Sequence, residues 1–266
     1  MPPIISLTTD FGLSDGYVAA LKGVMLQIAP EARLIDVSHL VSPQDVMEAA
    51  FVLRQCMSYL PERTVHLAVV DPGVGTERLA VAARQGETLF VAPDNGILTL
   101  VLDGTEPDEV VVLDRPEFWR VAEPGSTFHG RDIFGPVAAH LAAGVPLSEV
   151  GSPLERLLPM SWPLPMADES GIRGWIAHVD RYGNCLTNIP RLLVNQHGDG
   201  RRIRCYAGAN ILNGIAETYA DVDLGEAVVL FGSSEHLEIS INGGTAAELL
   251  SLSRGQSVDV VFLDER

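Results

Sequence analysis

Val65-His66-Leu67-Ala68-Val69-Val70-Asp71-Pro72-Gly73-Val74-Gly75 decides how the first half of the chain is read. An apolar run of strand length breaks abruptly on Asp-Pro-Gly, a turn-forming sequence. A strand without polar alternation is buried on both faces, as in a sheet covered by helices. The flanking sequence agrees. Residues 4–8 and 33–37 are further β-prone runs, and residues 17–28 and 46–60 carry helical periodicity closed by Pro30 and Pro61. Ser42 or Asp45 is placed to cap the second helix. Residues 79–83, 88–92 and 109–113 read as strands, with a short helix over 97–102 and another apolar helical run at 137–141. The alternation predicts an α/β domain with a largely parallel or mixed sheet over residues 1–160.

The composition then shifts. Pro153, Pro159, Pro163 and Pro165 fall in a stretch without period, and a linker is expected over 161–171. Beyond it the pattern is β only: short strands at 175–180, 203–206, 227–231, 237–241 and 258–263, divided by turn signals. These predict a smaller all-β, barrel-like domain over 172–266.

Bulk properties narrow the partners. At 266 residues, 47% hydrophobic and 20% charged, the chain can bury a sizeable core. A formal net charge of -17 argues against nucleic acid or an anionic membrane, whose phosphates it would repel. It is compatible with a cationic small molecule, although a solvated acidic surface is the commoner reason for such a charge. Cys56, Cys185 and Cys205 form no pair motif, which fits a reducing, cytoplasmic setting. Met1-Pro2-Pro3 runs straight into a β-prone segment, so neither a signal peptide nor a membrane span is expected.

Three strand-end carboxylates, Asp10, Asp71 and Asp94, sit in loops that also carry glycine. In an open α/β sheet such loops converge on a crevice beyond the strand ends, although any one Asp alone is more often a turn former or helix cap. Arg78, seven residues after Asp71, can fold back to hold that carboxylate ionised. Phe128-His129-Gly130-Arg131-Asp132 offers the partner: an ionised Asp with a histidine orients a base or polarises a water. The plainer reading makes this stretch a helix start, with Asp132 near the dipole and His129 on the surface. Gly73 and Gly75 give no phosphate-loop motif. Asp10, Asp71, Asp94, His129 and Asp132 are all possible metal ligands, but the spacing lacks HxH, HxD or HExxH and an arginine in the cluster discourages a cation. In the β domain, Asp180-Arg181-Tyr182-Gly183-Asn184, Gly232-Ser233-Ser234 and Asn242-Gly243 follow strands, and ordinary hairpin chemistry explains them, with Asn242-Gly243 reading as a type I′ pair.

Taken together, Thr8 to Gly12, Val70 to Gly75, Ala92 to Gly96, Thr127 to Asp132, Asp180 to Asn184 and Ile241 to Gly244 resemble the S-adenosylmethionine hydroxide adenosyltransferases, relatives of the fluorinating and chlorinating enzymes. The resemblance runs over nearly the whole chain. It implies hydrolysis of S-adenosylmethionine to adenosine and methionine by water attacking ribose C5′, without cofactor or metal. It assigns the water to Asp71, Arg78 and His129, and the ribose hydroxyls to Asp10. Asp180 would take the methionine amino group and Ser233 and Ser234 its carboxylate. Asn184 and the Asn242-Gly243 backbone would read adenine, and Phe128 would stack near the nucleoside. A carboxylate stands at Asp71 where the halogenating relatives carry an aromatic, which favours water over a halide. It further implies a homotrimer with sites between subunits. A metal-dependent phosphohydrolase and a non-catalytic S-adenosylmethionine or adenosine binder are the alternatives from other classes.

Overall fold

The computed structural model describes residues 2–263; Met1 and residues 264–266, which belong to the expected N-terminal run and β domain, lie outside them. The chain divides between Trp162 and Pro163 into two compact units.

The first unit runs β1 (Ile4–Thr9), α1 (Tyr17–Ile28), β2 (Arg33–Ser38), α2 (Val46–Met57), β3 (Val65–Val69), β4 (Ala80–Gln85), β5 (Thr88–Pro93), α3 (Ile97–Val101), β6 (Glu109–Val112), α4 (Gly135–Ala142) and β7 (Ser152–Pro153). Its sheet has the order β2-β1-β3-β5-β4-β6-β7. β2, β1, β3 and β5 are mutually parallel where they pair. β4, β6 and β7 join antiparallel. The switch has a local cause. Only Gly86-Glu87 separates β4 from β5, too little chain for a crossover, and Gly86 takes φ 57 to make the turn. The sheet is therefore mixed, and the parallel half brings the ends of β1, β3 and β5 to one edge.

Both faces are covered, as the apolar β3 run requires. Leu7, Leu67, Leu21, Met25, Phe134 and Val137 fill one face beneath α1 and α4. Ala50, Leu53, Phe90, Ile97 and Leu100 fill the other beneath α2 and α3. Burying each large side chain contributes about 1.5–3 kcal/mol. His66, the polar residue in β3, lies beside Ser6 in register and meets its hydroxyl through Nδ1 at 2.6 Å. It stacks on Phe90, and burial holds its pKa down at about 4, so it sits in the core uncharged. Asp45 caps α2 by accepting from the Glu48 amide at 2.9 Å. The helix ends at Met57 rather than continuing to residue 60, because the Tyr59 and Leu60 amides turn to the carbonyls three residues back ahead of Pro61.

The second unit carries β8 (Met166–Ala167), β9 (Gly171–Val179), β10 (Cys185–Pro190), α5 (Arg191–Gly198), β11 (Arg202–Ala207), β12 (Asn210–Asn213), β13 (Ala227–Phe231), β14 (His236–Ile241), α6 (Ala246–Leu249) and β15 (Ser257–Leu263). The antiparallel order is β12-β11-β15-β9-β10-β14-β13, with β8 added on β9, and the sheet is a nearly closed, barrel-like wrap. Alternate residues point inward, as Leu237, Ile239 and Ile241 do along β14. The expectation of strands alone is corrected by α5 and α6. α5 starts straight after Pro190, which is fixed at φ -76, and is anchored by Val194. No helix among the described residues is long and apolar enough to cross a membrane.

Candidate active site

The loop after β3 folds back on itself. Arg78 Nε donates to both Asp71 oxygens, at 3.0 and 2.9 Å, and its Nη2 closes a second arm on Asp71 Oδ2. Side-chain exposure is 6% for Asp71 and 11% for Arg78, so the pair is shielded from screening by water. The same Nη2 lies 2.9 Å from His129 Nδ1. A guanidinium only donates, so Nδ1 accepts and the ring proton sits on Nε2. Burial, and then the Arg78 charge, push the His129 pKa down, which keeps the imidazole neutral. Arg78 also lies over the Phe134 ring at 5.0 Å. Asp71, Arg78 and His129 thus form one fixed constellation with the arginine at its centre.

Two glycines allow it. A Cβ on Gly75, which takes φ 79, would fall 2.6 Å from the Ser126 carbonyl. The loop over 71–78 therefore reaches the segment before His129 only because no side chain is there. A Cβ on Gly130 would meet the Phe11 ring at 2.8 Å, so the loop after β1 closes in at the same place. Between His129 and α4 the chain makes a π-helical turn, Gly130–Phe134, closed by the Gly135 amide on the Gly130 carbonyl. Such turns inside helices are rare and concentrate at functional sites.

Phe128 packs edge-on against Phe11 and Tyr17, with centroids 5.5 and 5.4 Å away, and Arg131 lies over its ring at 4.8 Å. Asp10 is partly exposed at the end of β1, where Oδ2 accepts from the Gln44 amide at 2.8 Å. Asp94 and Asp132 are engaged by protein groups. Asp94 Oδ1 accepts from the Leu158 amide at 2.8 Å and ties down a loop of its own unit, and no hydrogen bond joins its side chain to Asp10 or Asp71 among the described residues. Asp132 does stand in the first turn of a helix, as expected, but ion pairs hold it there. It is 1% exposed and held by Arg120 and Arg131, which pull its pKa down against the cost of burial. No group of three His, Cys, Asp or Glu side chains is placed to hold a metal ion among the described residues.

The sequence reading missed a relay behind Asp10. His39, 4% exposed, reaches Thr9 Oγ1 through Nδ1 at 2.7 Å and Asp36 Oδ1 through Nε2 at 3.0 Å, while Asp36 Oδ2 accepts from Lys22 at 2.6 Å. The His39 carbonyl also takes the Gly12 amide at 2.7 Å, so one residue grips the loop from both sides. Lys22 lies on α1, Asp36 on β2 and His39 just after it, and they match no spacing motif, so only the fold reveals them.

In the second unit, Asp180 staples the turn between β9 and β10. Oδ1 accepts from the Tyr182 and Asn184 amides at 2.8 and 2.9 Å, and Oδ2 from Asn184 Nδ2 at 3.0 Å. Asp180 and Asn184 therefore hold each other. The Ser233 and Ser234 hydroxyls, after β13, make no hydrogen bond to a described residue, whereas the Ser234 carbonyl accepts from His236 Nδ1. Asn242 Nδ2 donates to the Val222 carbonyl at 2.9 Å. Only Gly243 of this pair has positive φ, 73, and the Gly244 amide returns to the Ile241 carbonyl. That is a type II turn leading to α6, which replaces the expected type I′ hairpin. Glu238, which is buried, and the more exposed Tyr219, also unforeseen, are joined by a hydrogen bond in this unit.

A family model described as the SAM hydroxide adenosyltransferase N-terminal domain matches residues 5–151, and its C-terminal counterpart matches 174–259. The chain is 41% identical to an (R)-S-adenosyl-L-methionine hydrolase of Salinispora arenicola, with 97% of each chain covered. It is 30% identical to a fluorinase of Actinoplanes sp., again over 97% of each. The crystal structure of an uncharacterized conserved protein from Thermotoga maritima superposes with a TM-score of 0.90 at 38% identity, covering 97% of this chain and 99% of that one.

Proposed function

The chain belongs to the SAM hydroxide adenosyltransferase family, and from that premise we propose that it hydrolyses S-adenosyl-L-methionine to adenosine and L-methionine at the Asp71, Arg78 and His129 constellation. What supports the reading is the arginine that joins a shielded carboxylate to a neutral imidazole. Arg78 fixes the Asp71 carboxylate in place as an acceptor, and His129 braces Arg78 from the other side. A water donating to Asp71 presents its oxygen for attack on C5′. The C5′–oxygen bond forms as the C5′–sulfur bond breaks, and the electron pair stays on sulfur as a neutral thioether. No acid is therefore needed at the leaving group, and the water proton leaves by way of the carboxylate. Positioning and exclusion of competing nucleophiles supply the rest. A negative carboxylate at this place repels halide ions, in contrast to the fluorinases at 30% identity. Asp10 binds the ribose hydroxyls, Phe128 lies by the nucleoside, Asn184 and the Asn242-Gly243 backbone read adenine, and Asp180, Ser233 and Ser234 hold the amino-acid end. No cofactor or metal takes part.

The test offers the purified protein both sulfur epimers, since the relatives' names specify (R), in heavy-oxygen water. Adenosine labelled at its 5′-hydroxyl is expected, with a rate unchanged by a chelator. Adenosine without label sinks the mechanism, loss of activity on chelation shows that a metal takes part, and binding without product makes the chain a binding protein.

The assembly proposed is a cytoplasmic homotrimer whose sites draw on neighbouring subunits. Multi-angle light scattering is expected to give three chains per particle. An active monomer refutes a shared site.

A further inference from the structure

The second unit buries one carboxylate that the proposed reaction has not used. Glu238 is 5% exposed on β14. Buried carboxylates elsewhere in this protein meet arginines: Asp132 has Arg120 and Arg131, and Asp71 has Arg78. Glu238 has no cation within ion-pair range among the described residues. A carboxylate this far from solvent needs partners for both of its oxygens.

Its two oxygens are served unequally. Glu238 Oε1 accepts two hydrogen bonds, from the Tyr219 and Ser240 hydroxyls, each at 2.7 Å. Oε2 receives none from a described residue. It lies against Gly232, where an added Cβ would come within 2.5 Å of it. Ser233 and Ser234, whose hydroxyls bond to no described residue, follow immediately. Both Asp180 and Glu238 act on shared neighbours: behind burial, they raise the Cys185 thiol to about 11, and with the Tyr219–Glu238 hydrogen bond they raise that phenol to about 12. Asp180 meanwhile spends its oxygens on three donors of its own turn.

We propose that Glu238 Oε2 accepts the α-ammonium of the substrate's amino-acid end, making Glu238 a specificity-determining residue beside Asp180. Tyr219 and Ser240 hold one oxygen so that the other faces the loop at Gly232, and the two serine hydroxyls serve the neighbouring carboxylate. The ligand class is an α-amino acid carried on a nucleoside sulfonium, and the assignment rests on the function proposed above.

Glu238→Gln tests it with little change of shape. An amide oxygen still serves Tyr219 and Ser240, but Oε2 becomes a donor that opposes an ammonium. KM for S-adenosylmethionine is expected to rise roughly 10- to 100-fold, with the loss in kcat/KM carried by KM. For the analogue lacking the α-amino group, parent and variant should have equal kcat/KM, and adenosine should bind both alike by calorimetry. Gly232→Ala, which blocks Oε2 without changing charge, should show the same pattern and carries the test if Glu238→Gln does not fold. An unchanged KM, or an equal loss on the analogue, overturns the assignment. A parent protein that fails to convert S-adenosylmethionine overturns the functional reading itself.

Discussion

Asp71→Ala is expected to bind S-adenosylmethionine within a few fold of the parent and to turn it over roughly 10²- to 10⁴-fold more slowly, the range for a lost proton-handling group. In the proposed mechanism the carboxylate contacts the water and not the ribose or the methionine, so its removal strikes the transition state. That lowers kcat and kcat/KM together, whereas loss of a uniform binding contact raises KM. Because Asp71 is also the partner of a shielded arginine, removing it leaves Arg78 without a counter-charge, and breaking a buried pair costs about 3–5 kcal/mol. Asp71→Asn separates the two effects. It keeps volume and one acceptor oxygen for Arg78, so it should preserve the fold while losing most of the rate. Titration calorimetry beside steady-state kinetics decides; a near-normal kcat in both variants would make the carboxylate structural and the water's partner some other group.

Asp10→Ala should reverse the emphasis. It deletes the acceptor proposed for two ribose hydroxyls, leaving donors unpaired at about 1–3 kcal/mol each, so binding of adenosine and of substrate should weaken first. Asp10 also accepts from the Gln44 amide at 2.8 Å, and Gln44 sits at φ 66. Some loss of thermal stability should accompany the change. Asp10→Asn keeps one acceptor and should recover part of both. An Asp10→Ala protein that bound adenosine as the parent does would remove the ribose from this residue.

The parallel half of the first sheet was legible because double burial leaves strands apolar, and β3 shows it without alternation. The antiparallel joining of β4 to β5 was less so: both strands read correctly, but their pairing depends on a two-residue turn rather than on composition. Arg78 was legible as Asp71's partner since opposite charges seven residues apart around two glycines can fold together. Glu238 was not. In the pattern Leu237, Glu238, Ile239, Ser240, Ile241, the polar positions read as the solvent face of a half-buried strand. The loop that lays Tyr219 across them is distant in sequence and carries no signal of its destination. α5 was hidden for a different reason: it buries only Val194 and Gly198, too few apolar side chains to show a period. Asp94 shares Asp71's place after an apolar strand, but its partner, the Leu158 amide, is a backbone group that composition cannot reveal.

The π-helical turn at Gly130–Phe134 makes the position of His129 a matter of counting residues. Such a turn holds one residue more than the α-helix it interrupts. Removing any single residue there would let α4 continue backwards as ordinary helix. Each residue of an α-helix advances by about 100°. The imidazole would swing by that angle away from Arg78, with every side chain of the Asp71, Arg78 and His129 set still present. Among related chains, a one-residue gap at this point would therefore separate proteins more sharply than many substitutions, because identity at each position would persist while the constellation did not.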